Sequence, residues 1–463
     1  MSLVGPRARA FANAWPAPAG SASTRSRDLY FAALLWAVAA YALTGRGFAY
    51  AGIPPVFPSE ILLVAGLWVY VRPRPSLAVF ASAPSLMLVL LMGWTLWRTL
   101  PFVGTNGVDA LRDSVIVMYG LFAFVFANLI LENPSRIDLA MGWARRFFSI
   151  YGALAAILYV LPKYLGAAIP RWPSGQPILG LRGGEVAVHI GAAAIFALLG
   201  LKRSSIPWTG MLLVGIVVVS AQSRGGMLAI VVPLLVAILL TGRLRAPALV
   251  IAAMLPFIVV LYVTDFEFPM ESDRRTVTIS QLAANTSSIF VKADTVDKTL
   301  DDTKLWRLQW WDKIFAYTLH GPYLWTGKGF GINIAESDGY LGTGGTGAPL
   351  RSPHSSHMTM LARSGVPGLA LWAATGLSWL WLMLRRIYLA RVRGNDAWSR
   401  ILIFVMCDWL GIVIDSSFDV AVEGPMLGIV FWVLFGAGLG LSLTYDALCA
   451  SRLAERRADA SPW

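Results

Sequence analysis

Long apolar runs alternate with short polar segments along most of the chain. A helix needs roughly 17 to 25 mostly apolar residues to cross the hydrocarbon core of a bilayer. Runs near this length predict twelve membrane-spanning helices, at about 29–45, 57–71, 78–97, 114–131, 147–162, 185–200, 206–221, 225–241, 246–264, 355–384, 401–414 and 425–445. The pattern predicts an all-α, polytopic membrane protein.

The composition supports this prediction. Hydrophobic residues make up 57% of the 463 residues and charged residues only 14%, whereas a soluble domain carries about 25% charged residues. A soluble chain of this size would therefore lack the polar surface to cover itself. Two cysteines, Cys407 and Cys449, exclude a disulfide framework or a cysteine-rich metal site.

The net charge of +12 is best explained by membrane topology. In a soluble protein such an excess would suggest nucleic-acid binding, but in a membrane protein basic residues concentrate on the cytoplasmic side. With a cytoplasmic N-terminus, 21 of the 38 Lys and Arg residues lie in inner segments and 7 in short outer loops, while 9 lie in the long connection and Arg363 in the tenth span. The inside excess supports the orientation, and we expect no nucleic-acid partner.

This topology divides the chain into five parts. We expect a cytoplasmic tail without a cleaved leader over 1–28, nine spans over 29–264, one large outer loop over 265–353, three spans over 354–446 and a second cytoplasmic tail over 447–463. The outer loop would be periplasmic in a Gram-negative cell. No inverted repeat of the kind common in secondary transporters is apparent, which mildly favours an enzyme.

Two outer loops carry the same tripeptide, Arg-Gly-Gly. Arg182-Gly183-Gly184 precedes the sixth span and Arg224-Gly225-Gly226 opens the eighth. An arginine at the positive end of a helix dipole is unfavourable unless an anion is close, and glycines let a bulky group approach backbone N–H donors. The two Arg-Gly-Gly segments, which we call the Arg-Gly corners, are therefore candidate phosphate-binding sites. The alternatives are contact with lipid headgroups or, for Arg182, a local pair with Glu185.

A third arginine lies in the long loop. Residues 305–316, treated as a helix, place Arg307 in the middle of one half-turn; the aromatic and apolar residues of that half-turn are Trp306, Trp310, Trp311, Ile314 and Phe315. A guanidinium held against such a face needs an anionic partner. That partner is either a carboxylate, such as Asp301 or Asp302, or a phosphate of a ligand.

Two of the four histidines, His354 and His357, stand at the end of the long loop just after Arg351. A histidine is suited to act as a general base towards a hydroxyl near neutral pH. Helix capping or an interfacial position would explain them equally. A metal site would need further ligands, such as His189 or Asp312, and no spacing indicates one.

These motifs, in this order, resemble the O-antigen ligase and O-antigen polymerase superfamily of bacterial membrane glycosyltransferases. The resemblance covers roughly residues 180–370 and includes both Arg-Gly corners, Arg307 with Trp310-Trp311, the sequence GKGFG at 327–331, Pro353-His354 and the sequence GVPG at 365–368. The sequence departs from the family pattern at Ser355, where Asn is frequent, and at Arg363, where an acidic residue is common.

The resemblance implies a GT-C type fold and a metal-independent, inverting transfer of a glycan from undecaprenyl diphosphate to an acceptor hydroxyl, without a cofactor. It implies that His354 is catalytic and that Arg182, Arg224 and Arg307 bind the diphosphate. We add His357, Arg351, Gly225 and Gly183 as candidate supporting positions; His357 has no counterpart in the family pattern.

The acceptor is not fixed by any residue. We favour a polymerase of O-antigen or exopolysaccharide; the alternatives are a ligase that transfers to lipid A core or to protein, and a lipid-linked glycan flippase. The expected partners are the lipid-linked donor, a glycan or lipid acceptor and membrane lipids. The expected location is the bacterial inner membrane, as a multi-pass protein with its active site facing the periplasm.

Overall fold

A computed structural model describes residues 22–53, 56–71, 76–244, 298–341 and 350–459. These ranges are helical and contain isolated β-bridges but no strand. The α-helices are α1 Ala22–Thr44, α2 Arg46–Ala49, α3 Pro58–Val71, α4 Ala83–Asn106, α5 Val108–Met118, α6 Leu121–Glu132, α7 Ser135–Leu165, α8 Gly183–Leu198, α9 Ile206–Gln222, α10 Arg224–Thr241, α11 Lys298–Leu319, α12 Ile334–Asp338, α13 Ser356–Val392, α14 Asp396–Ser416 and α15 Pro425–Asp459. Short 3-10 helices cover Leu77–Ala81 and Gly166–Ala168.

Six helices in the described part of the chain, α4, α7, α10, α13, α14 and α15, are long and apolar enough to cross a membrane. The bent pair α5 and α6 would make a seventh, and α3, α8 and α9 are shorter apolar helices. The all-α, multi-pass class is confirmed. The number twelve stays a prediction, and the span expected at 246–264 lies outside the described residues.

The span expected at 114–131 is not one straight helix. It is divided between α5 and α6, which meet at an angle of 40°. Tyr119 and Gly120 separate the two helices, and a Cβ atom at Gly120 would lie 2.8 Å from the Val117 carbonyl oxygen and 2.9 Å from Leu88 Cδ1. The bend therefore depends on a glycine that lets the chain turn against its neighbours.

The helices pack around α15 and α14. In α15, 89% of the most apolar window is buried, compared with 22% in α4. α15 packs against α6, α13 against α4, and α10 against both α8 and α14. Large buried side chains such as Trp379, Trp432 and Phe122 fill the space between them. Helix α14, with 67% of its most apolar window buried, also lies near the centre of the bundle, and the connection from α14 to α15 joins these two central helices.

Helix α13 is broken near its N-terminal end. Gly365 has φ 68° and ψ −171°, a conformation that glycine adopts readily. The GKGFG segment lies against this break, because the N–H of Lys328 donates to the Ala362 carbonyl at 2.8 Å and that of Gly329 to the Arg363 carbonyl at 2.9 Å. Carbonyl groups exposed by the break thus find partners. The GKGFG segment therefore has a structural role, which is to bond the carbonyl groups at the break in α13.

The helix predicted at 305–316 is present within α11. Trp310 and Ile314 are fully buried, in a second apolar cluster with Ile334, Leu350 and Leu361. The predicted aromatic face is therefore buried at Trp310 and Ile314, as expected. It is wrong at Phe315, which is 37% exposed, because the buried face runs through Ile314 and Thr318 and leaves Phe315 at its edge.

Candidate functional site

Three of the predicted site residues contact the connection between α14 and α15, residues 417–424. Nη1 of Arg182 lies 3.5 Å from Oδ1 of Asp419, and Nδ1 of His354 lies 3.6 Å from the same oxygen. Nη1 of Arg307 donates to the neighbouring Phe418 carbonyl at 3.1 Å. Residues far apart in sequence thus converge on two adjacent positions, which we call the Phe418–Asp419 corner.

Arg182 occupies the N-cap position of α8. Its backbone N–H donates to Oε2 of Glu185 at 3.3 Å, and Glu185 is almost completely buried. The local contact with Glu185, expected as an alternative to phosphate binding, is therefore made by the backbone. The guanidinium instead reaches Asp419, so the side chain points into the candidate site.

Arg224 is the first residue of α10 and follows the N-cap Ser223, whose hydroxyl accepts the N–H of Gly226 at 3.0 Å. A Cβ atom at Gly225 would lie 2.9 Å from Cβ of Phe418. The start of α10 therefore packs directly against the Phe418–Asp419 corner. This arrangement brings the second Arg-Gly corner to the same place as the first.

The glycines of the corners serve close packing. A Cβ atom at Gly184 would lie 2.2 Å from Oδ1 of Asp415, and one at Gly183 would lie 3.2 Å from the Tyr159 hydroxyl and 3.4 Å from Cβ of Ser223. Any larger residue would push α8 away from α14 or from the α9–α10 turn. Close packing therefore requires glycine at these positions, whether or not a ligand also approaches the backbone.

The aromatic face of α11 supports both Arg307 and His354. The Arg307 guanidinium lies over the Trp306 ring, 5.6 Å from its centroid, and the same ring meets His354 edge-on at 5.7 Å. Nε1 of Trp311 donates to the Pro353 carbonyl at 3.1 Å. The side chains of Asp301 and Asp302, the carboxylates considered as partners of Arg307, lie outside the described residues.

His354 has a strained backbone. Its φ of 51° is the one positive value among the non-glycine residues that the structure describes. Such a conformation costs on the order of 1–3 kcal/mol and is concentrated at functional sites. The contact between Trp311 and Pro353 and the start of α13 at Ser356, capped by Ser355, hold the residue in place.

Asp419 is the main residue that the sequence reasoning missed. Burial raises its pKa, but the neighbouring His354 imidazole and the charge of Arg182 outweigh burial and lower the pKa below its ordinary value. The carboxylate is therefore ionised near neutral pH. Asp419 lies in the polar segment between two apolar runs of the sequence, but only the fold shows which arginines it meets.

Arg351, predicted to support the site, belongs to a different cluster. It holds Asp113 of α5 through two hydrogen bonds of 3.0 Å, and Nη1 of the buried Arg363 lies 2.9 Å from Asp113. The N–H of Gly331 also donates to Asp113 at 3.0 Å. Arg363, which stands where the family often has an acidic residue, thus finds its counter-charge on another helix.

His357 is also placed away from the Phe418–Asp419 corner. Its Nδ1 accepts a hydrogen bond from Nε1 of Trp372 at 3.0 Å, and its Nε2 lies 3.4 Å from the Val413 carbonyl oxygen. The Nε2 contact therefore joins α13 to α14, whereas the Nδ1 bond lies within α13. His189 is buried beside Phe147 and Tyr151, away from His354. In the described ranges, no three His, Cys, Asp or Glu side chains form a potential metal-binding group.

The fold and this site define a multi-pass membrane protein with a cationic, histidine-containing corner at one end of its helices. Residues 209–373 match the family model described as O-antigen ligase, which confirms the predicted resemblance to the O-antigen ligase and polymerase superfamily. The matched region contains Arg224, Arg307 and His354, whereas Arg182 and Asp419 lie outside it. No curated protein matches the chain.

Proposed function

We propose that the protein is an inverting, metal-independent glycosyltransferase that moves a glycan from undecaprenyl diphosphate to a hydroxyl acceptor on the periplasmic face of the inner membrane. The observation that carries this proposal is the shared contact of Arg182 and His354 with Asp419. It puts a phosphate-binding side chain and a potential general base side by side, as group transfer from a diphosphate requires.

The donor diphosphate is bound by Arg182, Arg224 and Arg307. Arginine suits this role because its planar guanidinium can make two parallel hydrogen bonds to a phosphate. In the structure the Arg182–Asp419 contact is long and Arg307 bonds a neutral carbonyl. Phosphate oxygens would make shorter, charge-assisted bonds. These bonds strengthen as negative charge develops on the leaving diphosphate, so they accelerate the reaction.

His354 accepts the proton of the acceptor hydroxyl. Its Nδ1 faces Asp419, which favours the tautomer with the proton on Nδ1 and leaves Nε2 free to act as the base. The hydroxyl oxygen attacks the anomeric carbon, the bond from that carbon to the diphosphate oxygen breaks, and the configuration inverts. Undecaprenyl diphosphate leaves, and Asp419 stabilises the imidazolium that has formed.

We propose a polysaccharide polymerase, for which the growing chain and the acceptor are both lipid-linked. The test is to reconstitute the purified protein in nanodiscs with an undecaprenyl-diphosphate oligosaccharide. Chain growth without an added acceptor is the expected result. Transfer only after lipid A core or an acceptor protein is added would identify a ligase, and movement of the donor across the bilayer without transfer would identify a flippase.

Arg224→Ala tests the donor site in the same assay. We expect donor affinity to fall about tenfold, the loss of one charge-assisted contact. Arg171→Ala is the matched control, because Arg171 is an exposed outer arginine whose guanidinium donates to the Gly175 carbonyl. If both variants bind and turn over donor like wild type, Arg224 contacts lipid headgroups instead.

The flippase alternative requires ionisable groups along the middle of the spans. Of the two candidates in the sequence, Arg363 is neutralised by Asp113 and bonds the Ile332 carbonyl at 2.9 Å. Asp408 is buried within α14. The Arg363 contacts favour a structural role for this charge, and so favour the enzyme.

A further inference from the structure

The end of α8 opposite to Arg182 is surrounded by basic side chains from other helices. Nη1 of Arg243, which follows α10, donates to the carbonyl of Leu198, the last residue of α8, at 2.6 Å. Nε of Arg145, in α7, donates to the Leu201 carbonyl at 3.2 Å. Carbonyl groups at the end of a helix lack partners within it and carry a partial negative charge. The two arginines therefore supply hydrogen-bond donors to the C-terminal end of α8.

A third arginine comes close to the same place. Gly200 follows α8 with φ 70°, a conformation that glycine adopts readily. A Cβ atom at Gly200 would lie 3.4 Å from Nη1 and 4.0 Å from Nη2 of Arg243, and 3.8 Å from Nη1 of Arg400 in α14. The ends of two guanidinium groups from different helices thus lie against one glycine, where a single phosphate group between them could contact both.

The three guanidinium groups bond carbonyl oxygens, and among the residues that the structure describes none of them pairs with a carboxylate. Nε of Arg400 donates to the backbone carbonyl of Asp396 at 3.3 Å. The sequence contains no Asp or Glu between Glu185 and Asp265, so the connection from α8 to α9 and the end of α10 bring no acidic side chain. Each guanidinium has five N–H donors, and most of these donors, with the excess positive charge, are available to an anion.

The inside excess of basic residues explains the sign of this charge but not its arrangement. Basic residues that only mark topology can extend separately into water, as the exposed Arg146 and Arg203 do. Here the guanidinium groups instead converge, which raises their mutual repulsion unless an anion lies between them. A fourth cation, Lys202, lies 3.7 Å from the centroid of the Trp208 ring in the same connection. Basic groups between the ends of membrane helices are typical of sites for anionic lipid headgroups.

We infer that Arg243 and Arg400 bind the phosphate of an anionic phospholipid at the membrane surface opposite to the Phe418–Asp419 corner, while Arg145 and Lys202 add to the positive potential there. The planar guanidinium matches phosphate oxygens, and the ends of spanning helices hold it at the level of the headgroups. The predicted topology makes this surface the cytoplasmic leaflet. The site takes no part in glycan transfer, so the inference is independent of the proposed function.

The test measures the affinity of the full-length protein for anionic phosphatidylglycerol and for zwitterionic phosphatidylcholine, by native mass spectrometry in a neutral detergent. Wild type is expected to bind phosphatidylglycerol about tenfold more tightly. The double variant Arg243→Gln, Arg400→Gln should lose this preference. The double variant Arg146→Gln, Arg203→Gln is the matched control, because it removes two charges that the topology assigns to the same side, and it should keep the preference.

A further variant keeps both arginines and tests the position of the lipid. Asparagine tolerates the left-handed conformation, so Gly200→Asn can keep the turn while its side chain comes between the guanidinium groups. Binding of phosphatidylglycerol should then fall about threefold, and this result can be obtained even if the arginine variants fold poorly. Unchanged binding in Gly200→Asn would place the lipid elsewhere and overturn the inference.

Three other results would also overturn it. Equal affinity of wild type for the two lipids would show that the arginines do not select a negative headgroup. Equal losses in the two double variants would show a general attraction to the basic surface. Displacement of phosphatidylglycerol by millimolar inorganic phosphate would assign the arginines to a free anion rather than to a membrane lipid.

Discussion

Two carboxylates, Asp113 and Asp419, each gather two basic side chains, and they do so very differently. Asp113 is 7% exposed and is held by Arg351, Arg363 and the Gly331 N–H at distances of 2.9–3.0 Å. Asp419 is 28% exposed; the N–H of Val420 donates to its Oδ1 at 2.7 Å, but its two basic partners lie 3.5 and 3.6 Å away. The first cluster is closed and saturated, whereas the second is loose and accessible. Tight, buried pairs maintain structure; loose pairs near solvent leave their cations available to a ligand.

The largest expected effect comes from breaking the closed cluster. Asp113→Ala leaves the guanidinium of Arg363, which is 2% exposed, without its counter-charge, and removing one partner of a buried pair costs about 3–5 kcal/mol. We expect a clearly lower melting temperature and a lower yield of folded protein. Asp109→Ala is the control, because Asp109 is 46% exposed and contacts Arg351 at 3.3 Å; it should cost less than about 1 kcal/mol. Equal stability of the two variants would contradict the structural role of Asp113.

Breaking the open cluster should affect the reaction more than the fold. Asp419→Asn keeps the shape but removes the charge that orients His354 and stabilises its imidazolium. Transfer should fall by about ten- to a hundredfold in kcat, and the melting temperature at neutral pH should fall less than it does in Asp113→Ala. Donor binding should persist, since Arg182 then loses its competing carboxylate. A fall in stability without a fall in kcat would place Asp419 with Asp113 as a structural residue.

The smallest effect concerns pH. The pKa of Asp419 is lowered in the folded protein and is about 3.9 when unfolded, so its stabilising contribution is present above about pH 4 and is lost as the pH falls through the folded pKa. Wild type should therefore lose more stability than Asp419→Asn when the pH is lowered from 5 to 3. Melting curves over this range, compared between the two proteins, measure the difference. Parallel curves would show that the carboxylate gains nothing from His354 and Arg182.

Much of the fold was predictable because it follows from local patterns. Apolar length predicts the spanning helices, and the spacing of aromatic residues predicts α11 and its buried Trp310. The bend between α5 and α6 was not predictable, because it depends on how Gly120 meets Leu88 of a neighbouring helix. A run of apolar residues says how long a helix can be, but it does not say where a neighbour makes it turn.

The site divides in the same way. The basic residues assigned to the outer side could be recognised because they run against the predicted inside excess of charge, and the fold brings Arg182, Arg307 and His354 to one corner. The roles expected for Arg351 and His357 could not be tested by spacing, since Asp113, Trp372 and Val413, which hold them, are remote in sequence. Asp419 was missed for the same reason: a single acidic residue has no periodicity, and only tertiary contacts reveal its partners.

The central claim is that the Phe418–Asp419 corner brings a general base to a lipid-linked diphosphate. The most direct measurement is the rate of glycan transfer from an undecaprenyl-diphosphate oligosaccharide by wild type and by His354→Ala in the same nanodiscs. We expect transfer by wild type and a loss of at least about a hundredfold in the variant, with unchanged donor binding and melting temperature. Wild-type glycan products from His354→Ala would contradict it.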